Sequence, residues 1–510
     1  MLSHSSSKSM HWAPNALLDY RIIFALSCLL SVWLILIDPI INRDGILYLR
    51  TADAYLQGGI GAGQSLFDRP ILPISFALLH KVTGIPLLYS GLILTTIFYA
   101  LLCVGFVATI RVMGGDRRVQ IIAAIIILSH PMLNHSRSSI MRDPAYWAFS
   151  ILAFRELLLF ARTPEFKYQL RWLLFIAMAT LFRFEALFFV ILAPFTLLVA
   201  ADRGTRGRMC ARLAPLVLIA IVTLLPLVLF AQSSLAEEES MFPDIGRYVR
   251  QLFAVPQDFA VLAAKAAENW LTFTSTEDAS FAVIGGLTAI LGVNMFRSLS
   301  WPYVGVMIWG TSENLLDRIS PRDRRLINSH LIICLLYLSL FLLTKRFMLE
   351  RYANIFTLYI LLYVPFLLNA LWSKGKKGGG KFLVTLLLFG FCVDSLTNRD
   401  YEKAYVKEAT QWMVENTEED VSLVTNSAYF AYFSKRKFEW GDRAYLFTIA
   451  DLEAEPERWQ NTEYLTMLVK KRHVPQWQAF LAKNSLEELA VFEGHRTGQV
   501  SIVKIGTDNE

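Results

Sequence analysis

The sequence predicts an all-α polytopic membrane domain of about eleven transmembrane helices over residues 1–396. A small extracytoplasmic α/β domain follows over 397–510. Three observations lead there. The chain has 510 residues, of which 55% are hydrophobic and only 18% charged, too apolar for a soluble protein of this size. Apolar stretches of spanning or near-spanning length recur at 20–37, 86–111, 119–133, 145–161, 171–182, 186–201, 212–231, 281–310, 327–344, 351–372 and 381–396. From about residue 397 the chain turns polar, and short β-rich runs appear among amphipathic segments.

The elements follow in order. Residues 22–37 run straight into Asp38 and Pro39 with no small-residue cleavage pattern, so they read as an uncleaved first transmembrane helix. TADAYLQGG after Asp44 has helical character. DRPILPISFALLHKV, 68–82, is amphipathic and too short to span comfortably, which suits a helix lying on the membrane surface. The stretches 171–182 and 186–201 flank Arg183 and Glu185. Two short helices meeting at a polar turn are expected there, because one continuous helix would put both charges at mid-membrane. A further surface helix is expected within 245–270. In the tail, EATQWMVENTEED has helical spacing, while SLVTN, YLTMLVK, LAVFEG and VSIVKI read as strands. The tail carries no glycine-rich phosphate loop and no Cys–His cluster, and the chain shows no internal repeat.

The net charge is +6, yet the basic residues sit in short loops between spans, so they report topology and not nucleic-acid binding. The groups Arg111/Arg117/Arg118, Arg162/Lys167/Arg171, Arg203/Arg206/Arg208/Arg212, Arg318/Arg322/Arg324/Arg325 and Lys374/Lys376/Lys377/Lys381 all fall on one side, which is therefore cytoplasmic. The N-terminus is then inside and the C-terminal domain outside, as for an inner-membrane protein with a periplasmic module. Cys28, Cys103, Cys334 and Cys392 lie in apolar spans and Cys210 in a basic loop, so neither a disulfide framework nor a zinc site is expected.

Two acids lie just outside hydrophobic spans on the outer side: Asp44 after the first and Asp143 before the fourth. An acid kept where an apolar helix meets water usually serves a site. Asp44 reads either as a helix cap or as a general base taking a proton from an acceptor. Asp143, followed by Pro144, makes a good N-cap and can also serve a site. Arg137 and Arg142 stand close by. In KRFMLERYANIF, Lys345, Arg346 and Arg351 lie on the outer side, against the charge trend. They read as snorkelling anchors or as ligands of a phosphate or pyrophosphate, which the planar fork of arginine suits. Arg183 can join them from its turn, and Glu185 can pair with it. His130 and His135 are better read as interfacial histidines than as metal ligands.

The order of these features resembles a known family. It runs from a short tail and first span to an outer-loop Asp followed by Tyr48. RPILPISFALLHKVTGIP comes next, then an Asp at the start of the fourth span, then LFRFEALFFVILAP and ERYANIFTLYILLY. This looks like the GT-C superfamily of integral-membrane glycosyltransferases, and it is most similar to bacterial relatives of the protein O-mannosyltransferases and the lipid A aminoarabinose transferase. The resemblance covers about residues 20–396 and rests on motif order more than on any single motif. It implies a catalytic role for Asp44, an assisting one for Asp143, and Arg351 facing a carrier phosphate, with Arg346, Arg183 and Arg142 as further phosphate ligands. It implies a polyprenyl-phosphate sugar donor, a lipid, glycan or protein acceptor, and no organic cofactor. Many members have Asp-Glu where this chain has Asp44-Gly45, and His-Pro-Pro where it has Asp68-Arg69-Pro70. These departures leave the subfamily and a divalent metal open. The rival reading is a transporter or flippase of lipid-linked sugars; against it, the charges gather at one face and no repeated halves are visible.

Overall fold

In the computed structural model, residues 18–38, 40–201, 243–269, 275–374, 379–397, 403–441 and 444–505 are described, with single positions between 204 and 218. The expected span at 212–231, Cys210, Arg203 and residues 375–378 of the cytoplasmic turn fall wholly or mostly outside these.

The membrane part begins with α1 (Tyr20–Ile37), started by the Asp19 carboxylate accepting from the Arg21 amide at 2.9 Å. Two outer-side helices follow, α2 (Arg43–Leu66) and α3 (Ile71–Thr83). α2 breaks at Gly59, whose φ of 74° only glycine adopts freely, and α3 is closed by Gly84 in the left-handed region at 73°. Next come α4 (Leu87–Val112), α5 (Arg117–Ser129), the short α6 (Pro131–Asn134), α7 (Asp143–Arg162), α8 (Phe166–Phe182) and α9 (Leu187–Ala200). α4 sits at the centre, packed between α1 and α7. Gly105 lets it approach closely, since a β-carbon there would lie 3.0 Å from Ile151.

Between α8 and α9 the chain is extended at Arg183 and makes one 3₁₀ turn at Phe184–Ala186, so the two short helices meet at a polar corner. After α10 (Pro243–Asn269) come α11 (Thr276–Leu299) and α12 (Trp301–Ser312), separated at Ser300, whose φ is 69°. The expected crossing at 281–310 is thus a broken helix. α13 (Pro321–Lys345), α14 (Glu350–Leu361), α15 (Val364–Ser373) and α16 (Gly379–Ser395) complete the membrane part.

Among the described residues, five helices are long and apolar enough to cross a membrane: α1, α4, α7, α11 and α13. The pair α14 and α15, bent by 48°, makes a sixth if it is one span. Other expected crossings are shorter helices, such as α5 with 13 residues and α8 with 17. At about 1.5 Å per residue these reach only roughly 20–26 Å. The outer faces of α1 and α11 expose large apolar side chains, among them Leu29, Leu36, Phe281 and Phe296, which suits contact with lipid chains. The apolar helices and this fold make it an integral membrane protein.

Residues 403–505 build a four-stranded mixed sheet in the order β1-β2-β4-β3. The strands are β1 (Leu423–Thr425), β2 (Tyr464–Lys470), β3 (Glu488–Gly494) and β4 (Gly498–Lys504). β1 runs parallel to β2, and the other pairs are antiparallel. α17 (Ala404–Asn416) lies over β3 and β4, and α18 (Ala428–Phe433) follows β1. After α19 (Ile449–Ala454) and α20 (Glu457–Gln460), α21 (Val474–Lys483) buries Trp477 and Phe480 against β2. β4 is buried over all but its last residue, as a central strand should be, whereas β3 alternates at the edge.

The sheet unit docks on α2. Tyr432 donates to Asp53 Oδ2 at 2.9 Å, and the Arg50 guanidinium lies 3.8 Å from the centre of the Trp440 ring. Burial raises the Asp53 carboxyl above its ordinary value, more than the Tyr432 hydrogen bond lowers it.

Candidate active site

Asp44 lies in the first turn of α2, whose N-cap is Asn42. Asn42 holds the loop before α7 in two directions: its Nδ2 donates to the Ile140 carbonyl at 3.3 Å, and the Ile140 amide donates to its Oδ1 at 3.0 Å. Gly45 makes this approach possible, because a β-carbon there would stand 2.8 Å from Asn42 Oδ1 and 3.4 Å from Ile140. The glycine that departs from the family pattern is therefore a packing requirement of this corner. Through it the start of α2 and the start of α7 become neighbours, although they are about 100 residues apart in sequence.

Arg351, the second residue of α14, reaches the same point. Its Nη1 donates to Asp44 Oδ2 at 2.8 Å, joining residues 307 positions apart. The two side chains are 26% and 31% exposed, so the pair is partly shielded from water without being sealed. Arg351 Nε is buried and has no hydrogen-bond partner. The turn into α14 explains the geometry. Arg346 caps α13 at φ 58°, residues 347–349 run on without helix, and Leu349 offers the N-terminus of α14 no side-chain cap. Amide groups at an uncapped helix start favour an anion.

Beside this pair opens a cavity of about 960 Å³. Its walls are the start of α2 (Asn42, Arg43, Asp44), the loop after α6 (His135, Ser136, Ser139), α11 (Ile290, Asn294, Arg297) and the turn Arg346–Arg351. Arg297 pairs with Glu350 at 3.3 Å, and Arg346 pairs with Asp258 of α10 at 2.9 Å. Lys345 donates to Gln251, also on α10, at 2.8 Å, so α10 is tied to the cavity rim twice.

Asp143 stands behind the pair. The expectation that it caps α7 is not met: the N-cap position belongs to Arg142, and Asp143 is the first helical residue, with Pro144 next to it. Its carboxylate is taken by Arg183 Nη1 at 2.5 Å. Arg183 also donates to Glu185, from Nη2 at 2.8 Å and from Nε at 3.3 Å. All three side chains are nearly buried, at 9%, 7% and 13% exposure. A buried arginine needs this much carboxylate, which is the physical reason Asp143 serves it and not the helix backbone. The Tyr352 ring lies between the clusters, 4.9 Å from the Arg183 guanidinium and 5.4 Å from that of Arg351.

Of the four arginines expected at a phosphate, Arg351 and Arg346 line the large cavity, and Arg183 and Arg142 do not. Arg142 donates to the Tyr48 hydroxyl at 3.1 Å and lies 4.8 Å from the centre of the Phe67 ring. Arg137 is buried and donates to Ser27 Oγ at 2.9 Å, Ser31 Oγ at 3.0 Å and Asn134 Oδ1 at 2.6 Å, so it pins the outer loop to α1. His130 is buried and stacks on Tyr303. Among the described residues no three His, Cys, Asp or Glu side chains gather as a metal would need. Sequence reasoning passed over Arg43, Arg297, Tyr352 and Glu350. Arg297 had a signal, being a charge inside an expected crossing, but its placement at the rim follows only from the break at Ser300.

Neither a family model nor a curated protein matches the sequence. Solved structures do match the fold. The crystal structure of ArnT from Cupriavidus metallidurans bound to undecaprenyl phosphate superposes with a TM-score of 0.53 at 12% identity, over 96% of this chain and 98% of that one. The apo state of the same protein gives 0.54 with the same identity and coverage. The Archaeoglobus fulgidus oligosaccharyltransferase, solved with Zn and sulfate, gives 0.52 at 14% identity, over 90% of this chain and 69% of that one. The fold is that of the GT-C membrane glycosyltransferases, the class to which these structures belong.

Proposed function

We infer that the protein transfers a sugar from a polyprenyl-phosphate-linked donor to a lipid, glycan or protein acceptor at the extracytoplasmic face of the inner membrane. The observation that carries the reading is the 2.8 Å pair of Asp44 and Arg351 on the wall of a large cavity with an arginine-rich rim. A carboxylate able to take a proton and an arginine able to hold a phosphate are side by side, and the fold has the GT-C form. The structural relative ArnT is titled as bound to undecaprenyl phosphate, which supports the class of donor.

The chemistry then runs as a single displacement. The acceptor oxygen or nitrogen attacks the anomeric carbon from the face opposite the phosphate. The bond from that carbon to the phosphate oxygen breaks, and its electron pair leaves on the carrier phosphate. Asp44 takes the acceptor proton, and the anomeric configuration inverts. The phosphate leaves readily and needs no strong acid. Arg351 and the amides at the start of α14 stabilise the charge that grows on it. The Arg351 fork serves Asp44 or a phosphate, so the incoming donor competes with the carboxylate and turns Asp44 towards the acceptor. Asp143, Arg183 and Glu185 hold Tyr352 and the start of α14 in place behind it. Arg346 adds positive charge at the rim. In this reading eleven spans place the N-terminus in the cytoplasm and the 397–510 unit outside.

The test is Asp44→Asn, which keeps shape and removes the proton acceptor. Turnover should fall on the order of 10²–10⁴-fold, the usual range for losing a general base, with donor binding retained. Full turnover in that variant, with envelope glycans and glycolipids as acceptors, rules the mechanism out.

A further inference from the structure

A second cavity, of about 1140 Å³, lies between the start of α2 and the sheet unit. It shares Asn42 and Arg43 with the first cavity, so the two meet at a common wall. Its lining is one-sided in charge. Arg43, Lys403, Lys470, Lys471, Arg472 and Arg496 contribute six basic side chains, and no Asp or Glu is among the described residues that line it. Arg43, Lys470, Lys471, Arg472 and Arg496 form no ion pair among the described residues; the one printed side-chain partner is His473, which accepts from Arg472 at 3.0 Å. Elsewhere on the described surface, exposed arginines and lysines commonly find a carboxylate, as Arg458 finds Glu455 and Lys483 finds Glu453. Five like charges around one hollow repel each other, and that repulsion is relieved when an anion enters. Between the basic groups the walls are apolar, with Ile41, Phe447 and Leu468. Basic groups on apolar walls suit an amphiphilic anion better than a bare ion.

We propose that this cavity is the acceptor site, and that the acceptor is a saccharide carrying phosphate. The proposal rests on the glycosyl-transfer reading and names its second substrate. The shared wall gives the reason for the assignment. An acceptor held by its phosphate among Lys470, Lys471 and Arg496 extends past Arg43 towards Asp44, two residues from Asn42 on the same wall. The donor phosphate, held by Arg351, approaches Asp44 from the first cavity. The two substrates meet at Asp44 from opposite sides, as an in-line displacement requires. The same phosphate chemistry can be borne by a glycan or by a lipid headgroup.

The experiment uses the full chain in phosphatidylcholine nanodiscs, with trehalose and trehalose 6-phosphate as probes and undecaprenyl phosphate measured alongside. The native chain should bind the phosphorylated sugar at least tenfold more tightly than trehalose. The combined Lys470→Gln, Lys471→Gln and Arg496→Gln variant should lose that preference, and Lys470→Arg, Lys471→Arg and Arg496→Lys should keep it. Affinity for undecaprenyl phosphate should stay constant throughout, which also reports that each variant is folded. Equal affinity for the two sugars, or an unchanged preference in the Gln variant, overturns the proposal. Phosphatidic acid added to the nanodiscs separates the sources: displacement of trehalose 6-phosphate assigns a lipid-borne phosphate, its absence a glycan-borne one, and either supports the site. Failure of the donor reading looks different, because Arg351→Ala then leaves undecaprenyl phosphate binding intact while the basic cavity still selects the phosphorylated sugar.

Discussion

Arg351→Ala removes a guanidinium that serves one carboxylate in the structure and, in the proposed function, a donor phosphate. The two roles predict different magnitudes. With Asp44, Arg351 makes one hydrogen bond of 2.8 Å, and the side chains are 26% and 31% exposed. A partly solvated pair of this kind contributes about 0–1 kcal/mol to stability, so the melting temperature should hardly move. A charge-assisted hydrogen bond to a phosphate is worth about 1.5–3 kcal/mol. At roughly 1.4 kcal/mol per factor of ten, donor affinity should fall about 10- to 150-fold. Arg351→Lys should recover only part, because a point charge replaces the fork. Asp44 supplies the sign check. If carboxylate and phosphate compete for one fork, Asp44→Asn should tighten donor binding, by up to about fivefold for a pair worth up to 1 kcal/mol. The assay is titration of undecaprenyl phosphate into purified protein in nanodiscs, with a thermal melt of each variant. Donor affinity within twofold of the native value in Arg351→Ala removes Arg351 from the donor site. Weaker binding in Asp44→Asn refutes the competition.

Three further outcomes follow from the same geometry. Arg183→Met leaves the nearly buried Asp143 and Glu185 without their cation, and thermal unfolding should report a loss on the order of 3–5 kcal/mol, far more than Arg351→Ala costs. Asp53 has its carboxyl raised from 3.8 by burial, so the fold disfavours its charged form. Stability from this group is full below 3.8 and falls as pH rises through the raised value. Asp53→Asn should therefore gain on the native chain as pH is taken from about 4 to 7 in paired melting curves, and parallel curves would contradict it. A reporter fused after residue 510 should be active only as an exported enzyme, because the basic loops sort to the opposite face; cytoplasmic activity would reverse the topology.

The apolar stretches and the basic loops between them are local properties, which is why the membrane class, most helix positions and the expected orientation were legible from residues alone. The corner at Arg183–Glu185 was legible for the same reason: two charges in an apolar run cannot sit at mid-membrane, so the helix had to stop there. Asp44 and Arg351 could each be singled out by being charged where the trend runs the other way. That they touch could not be read, because the contact joins residues 307 positions apart and depends on how α2 and α14 pack. The partner of Asp143 was hidden for a related reason. Asp-Pro at a helix start favours a cap, and only tertiary packing brings a buried Arg183 close enough to claim the carboxylate. Gly45 looked like a departure from a pattern until Asn42 and Ile140 were seen to close on it. The second cavity lay wholly beyond the sequence, since its cations come from α2 and the distant sheet unit and form one wall only after docking. Hydropathy and charge order act along the chain and determine what crosses the membrane. Burial and long-range pairing act across it, and they decide which charges meet.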